Sequence, residues 1–414
     1  MGIRVHFPMK SGMVKKTRGE GEALCRDFLF QKKDSIPNHF RPMQLSLEPK
    51  AIEDVYQTPL VQQTAFWSRV KATLGMKSRA FEFSVRNSDI YTGVGGWSRT
   101  NADVVVFAQQ VNDEDWIAYM PYGPEIEPSE ENQGVFLEEL SEELRRFLPK
   151  GCIALRYDLN WQSHWVTEQD FDADGEWRGG PRKVFQEMQL NFGTVNGNLF
   201  KSLTNVLPAD TIVVDLAKSE EDVLGAMKAK TRYNIGLSSR HGIEVRELGF
   251  SDLPVWYSLY TETYHRNGLH VNDLRYFESV FSVWMKHLDP NVTVKLLAAF
   301  DGDDPLAAMF LIVSAHRATY LYGASSSRKR NLMPTYALQF KAMQIARAAG
   351  CTEYDMFGVA PTSDPSHPMH GLYKFKTGFG GSMFHQLGCW DYPLDEKKYH
   401  AFAAHEMGMA GYYA

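Results

Sequence analysis

A chain of 414 residues has room for two or three domains with real cores, and 44% hydrophobic with 13% aromatic content excludes a disordered protein. The formal charge of −6 argues against a broad nucleic-acid-coating surface and leaves only local basic stretches, at 227–242 and 325–331. The longest apolar runs, DVVVFA at 103–108 and LAAMFLIV at 306–313, are of core-strand length, so no membrane-spanning helix is expected. Cys25, Cys152, Cys351 and Cys389 are too irregularly spaced for a disulfide framework or a zinc site. With an N-terminus that lacks a secretory apolar segment, they point to a reducing, cytoplasmic setting.

The first 45 or so residues are polar and without periodicity, and ordered structure is expected from near Leu47. QQTAFWSRVKATLG then places Gln63, Trp67, Lys71 and Gly75 at i, i+4, i+8 and i+12, one helical face with a glycine stop. Strands follow over 79–85, 103–111 and 115–123, a helix with an apolar stripe over 134–148, and a strand over 151–159. The Trp-, Asp- and Gly-rich stretch 160–180 reads as an irregular excursion. TIVVDL at 211–216 is a strand, and Ser219 with Glu220, Glu221 and Asp222 starts a helix. A second helix runs from about Lys230 to His241-Gly242, and 253–268 and 274–288 form a helical pair.

One passage repeats. Tyr122-Gly123 closes a strand pair and is followed by a helix, Gly151-Cys152, a strand and Tyr157-Asp158. Tyr322-Gly323, a helix, Gly350-Cys351 and Tyr354-Asp355 repeat that order, with glycine-to-glycine separations of 28 and 27 residues. The expected fold class is α/β, two copies of one module with mixed sheets flanked by helices: an extension over 1–45, a first module over 46–215 completed by 385–414, and a second over 216–384.

Strand, hairpin, strand, helix, strand at this size reads as an acyltransferase of the GNAT type. An acyl-CoA user places a glycine-rich pyrophosphate loop at the start of the following helix. Here that position reads SSSRKRNLMPTYALQ, without glycine and with Pro334 removing a donor, while the first copy's loop, YGPEIEPSEENQG, is acidic. An acyl donor other than acetyl-CoA follows.

The runs KAKTRYNIGLSSRHGIEV, YGASSSRKRNLMPTYALQFKAMQIARAAGCTEYDMFGV and GLYKFKTGFGG, with YMPYGPEI and the Gln63–Gly75 helix, resemble the Fem-type (FemABX) peptidyltransferases over roughly residues 55 to 392. That family is built of two GNAT-like halves and uses aminoacyl-tRNA to add amino acids to the peptide of peptidoglycan precursors. The resemblance implies a muropeptide acceptor, nucleotide- or lipid-linked, aminoacyl-tRNA as co-substrate, no other cofactor and no metal, with peripheral contact at the inner membrane face.

By the same resemblance Lys376 matches the lysine near the acceptor end of the tRNA, a contact for the oxyanion or the leaving ribose. Phe375 would pack on the terminal adenine or the neighbouring sheet, and the adjacent glycines would let bulky substrates approach. Glu127 stands where the family often carries an aspartate that handles the amine proton. Lys71, with Trp67, matches the lysine that holds a muropeptide diphosphate, and Tyr122, Tyr276 and Tyr322 match the tyrosines that reach phosphate or sugar. Lys228, Lys230 and Arg232, with Arg328, Lys329 and Arg330, are the candidates for tRNA contact. Asn272 stands where nucleotide-muropeptide users carry an arginine, which turns the expectation towards a lipid-linked precursor or another amine, with Arg266 and Arg275 as substitutes. The long helical arm of some members is missing, since 245–252 passes straight into the next helix. The histidines at 265, 270, 367 and 370 lack carboxylate or cysteine partners at ligand spacing.

Overall fold

The computed structural model describes residues 43–165, 179–268, 271–286 and 289–408. The extension expected over 1–45 thus lies outside the described residues except for 43–45, as do Cys25 and His270.

Among the described residues thirteen strands form a single mixed sheet. In chain order they are β1 (Leu45–Lys50), β2 (Ser78–Arg86), β3 (Arg99–Gln110), β4 (Trp116–Pro121), β5 (Cys152–Gln162), β6 (Phe200–Lys201), β7 (Asp210–Asp215), β8 (Glu244–Leu248), β9 (Val292–Asp301), β10 (Asp304–Ser314), β11 (Arg317–Ser325), β12 (Glu353–Gly358) and β13 (Ser382–Pro393). Their spatial order is β1-β2-β3-β4-β5-β13-β7-β12-β11-β10-β9-β8, with β6 beside β13. The helices are α1 (Ala65–Thr73), α2 (Asn87–Ile90), α3 (Glu130–Arg145), α4 (Lys183–Leu190), α5 (Glu220–Ala226), α6 (Ala229–Arg240), α7 (Leu253–Arg266), α8 (Leu274–Lys286), α9 (Pro334–Ala348), α10 (His370–Lys376) and α11 (Glu396–Gly408).

The repeat read in the sequence has a structural counterpart. β4 runs parallel to β5 across α3, and β11 runs parallel to β12 across α9. Each later strand ties its tyrosine to the helix it follows: Tyr157 pairs with Ser141 on α3 at 2.7 Å, and Tyr354 donates to Gln339 on α9 at 2.6 Å. β7, expected to close the first module at 215, pairs instead with β12 of the second half, and β13 joins the halves, since 382–385 pair with β7 and 386–393 pair with β5.

Side chains alternate across β10 as a strand buried on both faces requires. Ala308, Phe310 and Ile312 enter one core with α7, α8 and α1, while Ala307, Met309 and Leu311 enter another with α9. A third core lies between α3 and the first half of the sheet. α1 belongs to the first half in sequence, yet Phe66, Trp67 and Val70 pack with Trp256 and Phe277 of the second.

Thr64 caps α1 by accepting the Trp67 amide at 3.2 Å, and Gly75 ends the segment at φ +84°, so the expected face is nearly right. Gln63 lies in the preceding 3-10 turn, where its amide bonds both Pro121 O and the Val105 amide. The excursion expected over 160–180 is corrected at its start, where β5 continues to Gln162; 166–178 lie outside the described residues, and α4 follows at Lys183. α4 hides from periodicity because Val184, Phe185 and Met188 stay exposed and only Leu190 is buried.

Candidate functional site

Lys376 ends α10, a helix rather than a turn, and its side chain is 4% exposed while Lys374 stays in solvent. Its ammonium donates to Phe357 O at 3.0 Å and Gly358 O at 2.5 Å, and lies 5.4 Å from the centre of the Tyr320 ring. These carbonyls belong to a bulge: β12 shifts register against β7 between Asp355 and Gly358, and Phe357 takes φ +59°, costly for a side chain that is not glycine. Asp355 completes the bulge by accepting the Phe357 amide at 2.8 Å. Burial lowers the pKa of Lys376 to about 7, against the opposing pull of the Asp355 charge.

The glycines after Lys376 have a packing role within the chain. A Cβ on Gly378 would meet Thr231, one on Gly380 would stand 2.6 Å from the Ala226 backbone, and one on Gly381 would stand 2.6 Å from Ile212. They let the turn pack on α5, α6 and β7. Phe375 likewise packs on Tyr336 and Phe379, each with ring centroids 5.2 Å away.

Lys71 lies on α1, 8% exposed, 5.1 Å from the Trp67 ring and 5.4 Å from the Tyr276 ring. Tyr276 in turn shares a 2.6 Å hydroxyl contact with Tyr322. Four of the expected substrate-binding residues, Trp67, Lys71, Tyr276 and Tyr322, are therefore brought together. Among the described residues the Lys71 ammonium has no hydrogen bond or ion pair, and burial lowers its pKa to about 8. Tyr122, the fifth, stands apart at φ +50°, donating to Pro208 O at 2.8 Å with its ring edge-on to Phe357.

A bulge between Phe310 and Leu311 in the β10–β11 pairing sends Tyr320 and Tyr322 to opposite faces, one core with Lys376 and the other with Lys71. β11 and β12 pair over only three residues, Arg317–Thr319 with Glu353–Asp355, and then separate. The gap beyond is bordered by Lys376 on one face and by Phe357 and Tyr322 on the other. On Lys71's side a groove of about 1760 Å³ opens, walled by Lys71, Val106, Arg156, Pro208, Val359 and Glu406.

Other expected residues are distributed more widely. Glu127 is exposed on the loop after Tyr122, where it accepts the Gln162 amide at 3.3 Å, and no contact joins it to Lys376. Lys228 adjoins the Lys376 turn, its amide bonded to Gly378 O at 2.9 Å, and Lys230 is exposed beside it. Arg232 spends one nitrogen on the Gly225 and Met227 carbonyls. Arg328 and Lys329 are paired with Asp304 and Asp301, while Arg330 is exposed. At the missing CoA loop the Ser327 amide donates to Glu262 at 2.6 Å, so a side-chain carboxylate takes the donor a pyrophosphate would use. Asn272 gives its side-chain amide to the Tyr260 hydroxyl at 3.2 Å, and Arg266 is turned to Ser325 and Ser327.

A family model described as the FemAB family matches residues 53–293 and 291–406. The chain belongs to the FemAB family. The match takes in α11 beyond the residues that carried the resemblance. Relatives include the lipid II:glycine glycyltransferase of Staphylococcus epidermidis, 22% identical over 252 residues, and that of Staphylococcus aureus, 21% identical over 256; each match covers 47% of this chain and 61% of the relative. The chain thus spans about three fifths of the curated relatives it matches. The crystal structure of FemX superposes with a TM-score of 0.62 at 17% identity, over 86% of this chain and all of that one, which establishes the shared fold.

Within this FemAB chain several buried polar residues carried no sequence signal. Asp158 and Asp355 stood in the repeat without a role. Asp158 accepts the Tyr119 hydroxyl at 2.9 Å and the Leu207 amide at 2.8 Å, and burial raises its pKa to about 6. Tyr320 and Lys201 are likewise visible only through the contacts that folding gives them.

Proposed function

We propose that this FemAB member transfers an amino acid from aminoacyl-tRNA to a free amine on the stem peptide of a lipid-linked peptidoglycan precursor, at the inner face of the membrane. The observation that carries the reading is the buried Lys376 ammonium on the β12 bulge beside the gap between β11 and β12, with the groove that holds Lys71 lined next to that bulge by Pro208 and Val359. Among the described residues no helix is long and apolar enough to cross a membrane. The names of the relatives and the spent side chain of Asn272 favour the lipid-linked form over the nucleotide-linked one. The Glu262 carboxylate at the Ser327 amide favours a donor without a CoA pyrophosphate.

The aminoacyl ester enters from the face of Lys376 and the exposed Lys228 and Lys230, while Lys71, Trp67, Tyr276 and Tyr322 hold the diphosphate and sugar of the acceptor. The free amine adds to the ester carbonyl, and the charge that forms on oxygen is met by Lys376. An ammonium has three N–H donors, and the structure uses two on Phe357 O and Gly358 O. The third is free to stabilise the oxyanion, and a pKa of about 7 lets the same group pass a proton to the departing ribose oxygen as the ester bond breaks. Glu127 is the candidate for the amine proton; the loop that carries it would have to move to reach the gap.

The test is incubation of tRNA charged with a radiolabelled amino acid with soluble and lipid-linked muropeptides. Label on the lipid-linked acceptor is expected, and its loss with Lys376→Met. No label on any precursor from a folded protein would refute the reading, and label on another amine would move the acceptor.

A further inference from the structure

Lys376 has a counterpart in the first half. The ammonium of Lys201 donates to Leu387 O at 2.8 Å and Cys389 O at 3.1 Å, the carbonyls on either side of Gly388, which takes φ +65°. As in β12, the register slips at this point, between Gln386 and Gly388 of β13. In each half a lysine thus fastens a bulge around a left-handed residue. Lys201 also reaches the side-chain oxygen of Asn205 at 3.3 Å, and that oxygen accepts the Cys389 amide at 2.8 Å.

Asn205 begins a strap of four residues, each held by a different group. The Val206 amide donates to Cys389 Sγ at 3.3 Å, the Leu207 amide donates to Asp158 at 2.8 Å, and Pro208 O accepts the Tyr122 hydroxyl. All four line the groove. The end of the strap meets the other lysine's bulge, since a Cβ on Gly358 would lie 2.7 Å from the Pro208 ring, and Gly358 O is one of the two carbonyls that Lys376 holds. Two residues on, Asp210 O accepts the Val359 amide at 3.1 Å, a second tie to the same bulge. Contacts therefore run without a break from Lys201 through Asn205 and Pro208 to Gly358 and Lys376.

We propose that Lys201 is a positioning residue for the transfer site: it fixes strap 205–208 as the wall shared by the groove and the Lys376 bulge, and so seats the acceptor in register with Lys376. The inference rests on the function proposed above. A strap held at every residue presents one shape to the groove, whereas a strap freed at Asn205 forfeits part of the binding that alignment requires.

Backbone hydrogen exchange on the full chain tests the tie without substrate. In Lys201→Met, and in Asn205→Ala, which keeps the lysine, exchange at Val206, Leu207 and Val359 should quicken by about tenfold or more, while α3 and α9 keep their protection. Quickening confined to 205 and 206, or none, would overturn the coupling. In transfer assays the KM for the acceptor should rise about tenfold with the KM for charged tRNA unchanged; an equal loss with both substrates would mark Lys201 as merely structural and overturn its positioning role. A wild-type protein that transfers nothing would sink the proposed function instead, and the exchange result would still decide the tie.

Discussion

Lys71 and Lys376 are buried cations, and the fold bears a cost for each. Both hold their proton more weakly than the usual 10.5, at about 8 and about 7, because burial disfavours the charged form. The unfolded chain therefore carries more protons than the folded one between these values and 10.5. Stability should rise with pH through that window, by up to about 1.4 kcal/mol per pH unit for each group, and should lose this dependence below pH 7. Urea midpoints at pH 7, 8 and 9 should climb in the wild type and climb less in Lys376→Met; parallel curves would show that Lys376 is an ordinary solvated lysine. Lys71→Met yields a prediction of opposite signs. The ammonium has aromatic faces but no counter-ion among the described residues, so methionine should leave the melting temperature equal or higher. Acceptor KM should nonetheless rise by tenfold or more, because the cation that would meet a diphosphate is gone. A lower melting temperature with unchanged KM would make Lys71 a structural residue.

Among the elements, α11 shows how a helix is held by charge in an apolar setting. Arg156 is buried in β5, bonded through two nitrogens to Asp391 of β13 at 2.7 and 2.8 Å and through two to Glu406 of α11 at 2.9 and 2.8 Å. Arg156→Met leaves two carboxylates buried together and should cost about 3–5 kcal/mol in urea unfolding. Replacing all three by apolar residues should recover most of that loss; if the triple variant is worse than the single one, the network contributes net stability. None of this was legible beforehand, because Arg156, Asp391 and Glu406 are up to 250 residues apart and only the pairing of β5 with β13 makes them neighbours. What was legible followed local rules: the helix α1 with its Gly75 stop, the Ser219 cap of α5, and the strands from β2 to β5 with their alternation or short apolar runs. Lys376 could be picked out by its motif, but its burial and its hold on the β12 bulge depend on contacts 18 and 19 residues away that no spacing reveals.

At the scale of the molecule, the repeat read from Tyr-Gly and Tyr-Asp predicts two modules, and the sheet joins them into one. β13 supplies the neighbour of β5 through 386–393 and the neighbour of β7 through 382–385, so its loss would strip hydrogen bonds from both halves at once. α1 adds a second link by burying Phe66 and Trp67 among the helices of the other half. Cooperativity follows from shared elements, because neither half can open without exposing apolar surface and strand edges of the other. The full chain should therefore unfold in one transition, with near- and far-ultraviolet dichroism coinciding across the urea range. A chain ended at residue 381 lacks β13 and α11, and should lose tertiary signal from both halves, since β5 and β7 would face each other across an empty strand position. A truncated chain whose second half kept a cooperative transition of its own would show that residues 210–381 fold alone, and that β13 is an addition to two modules rather than the strand that makes them one.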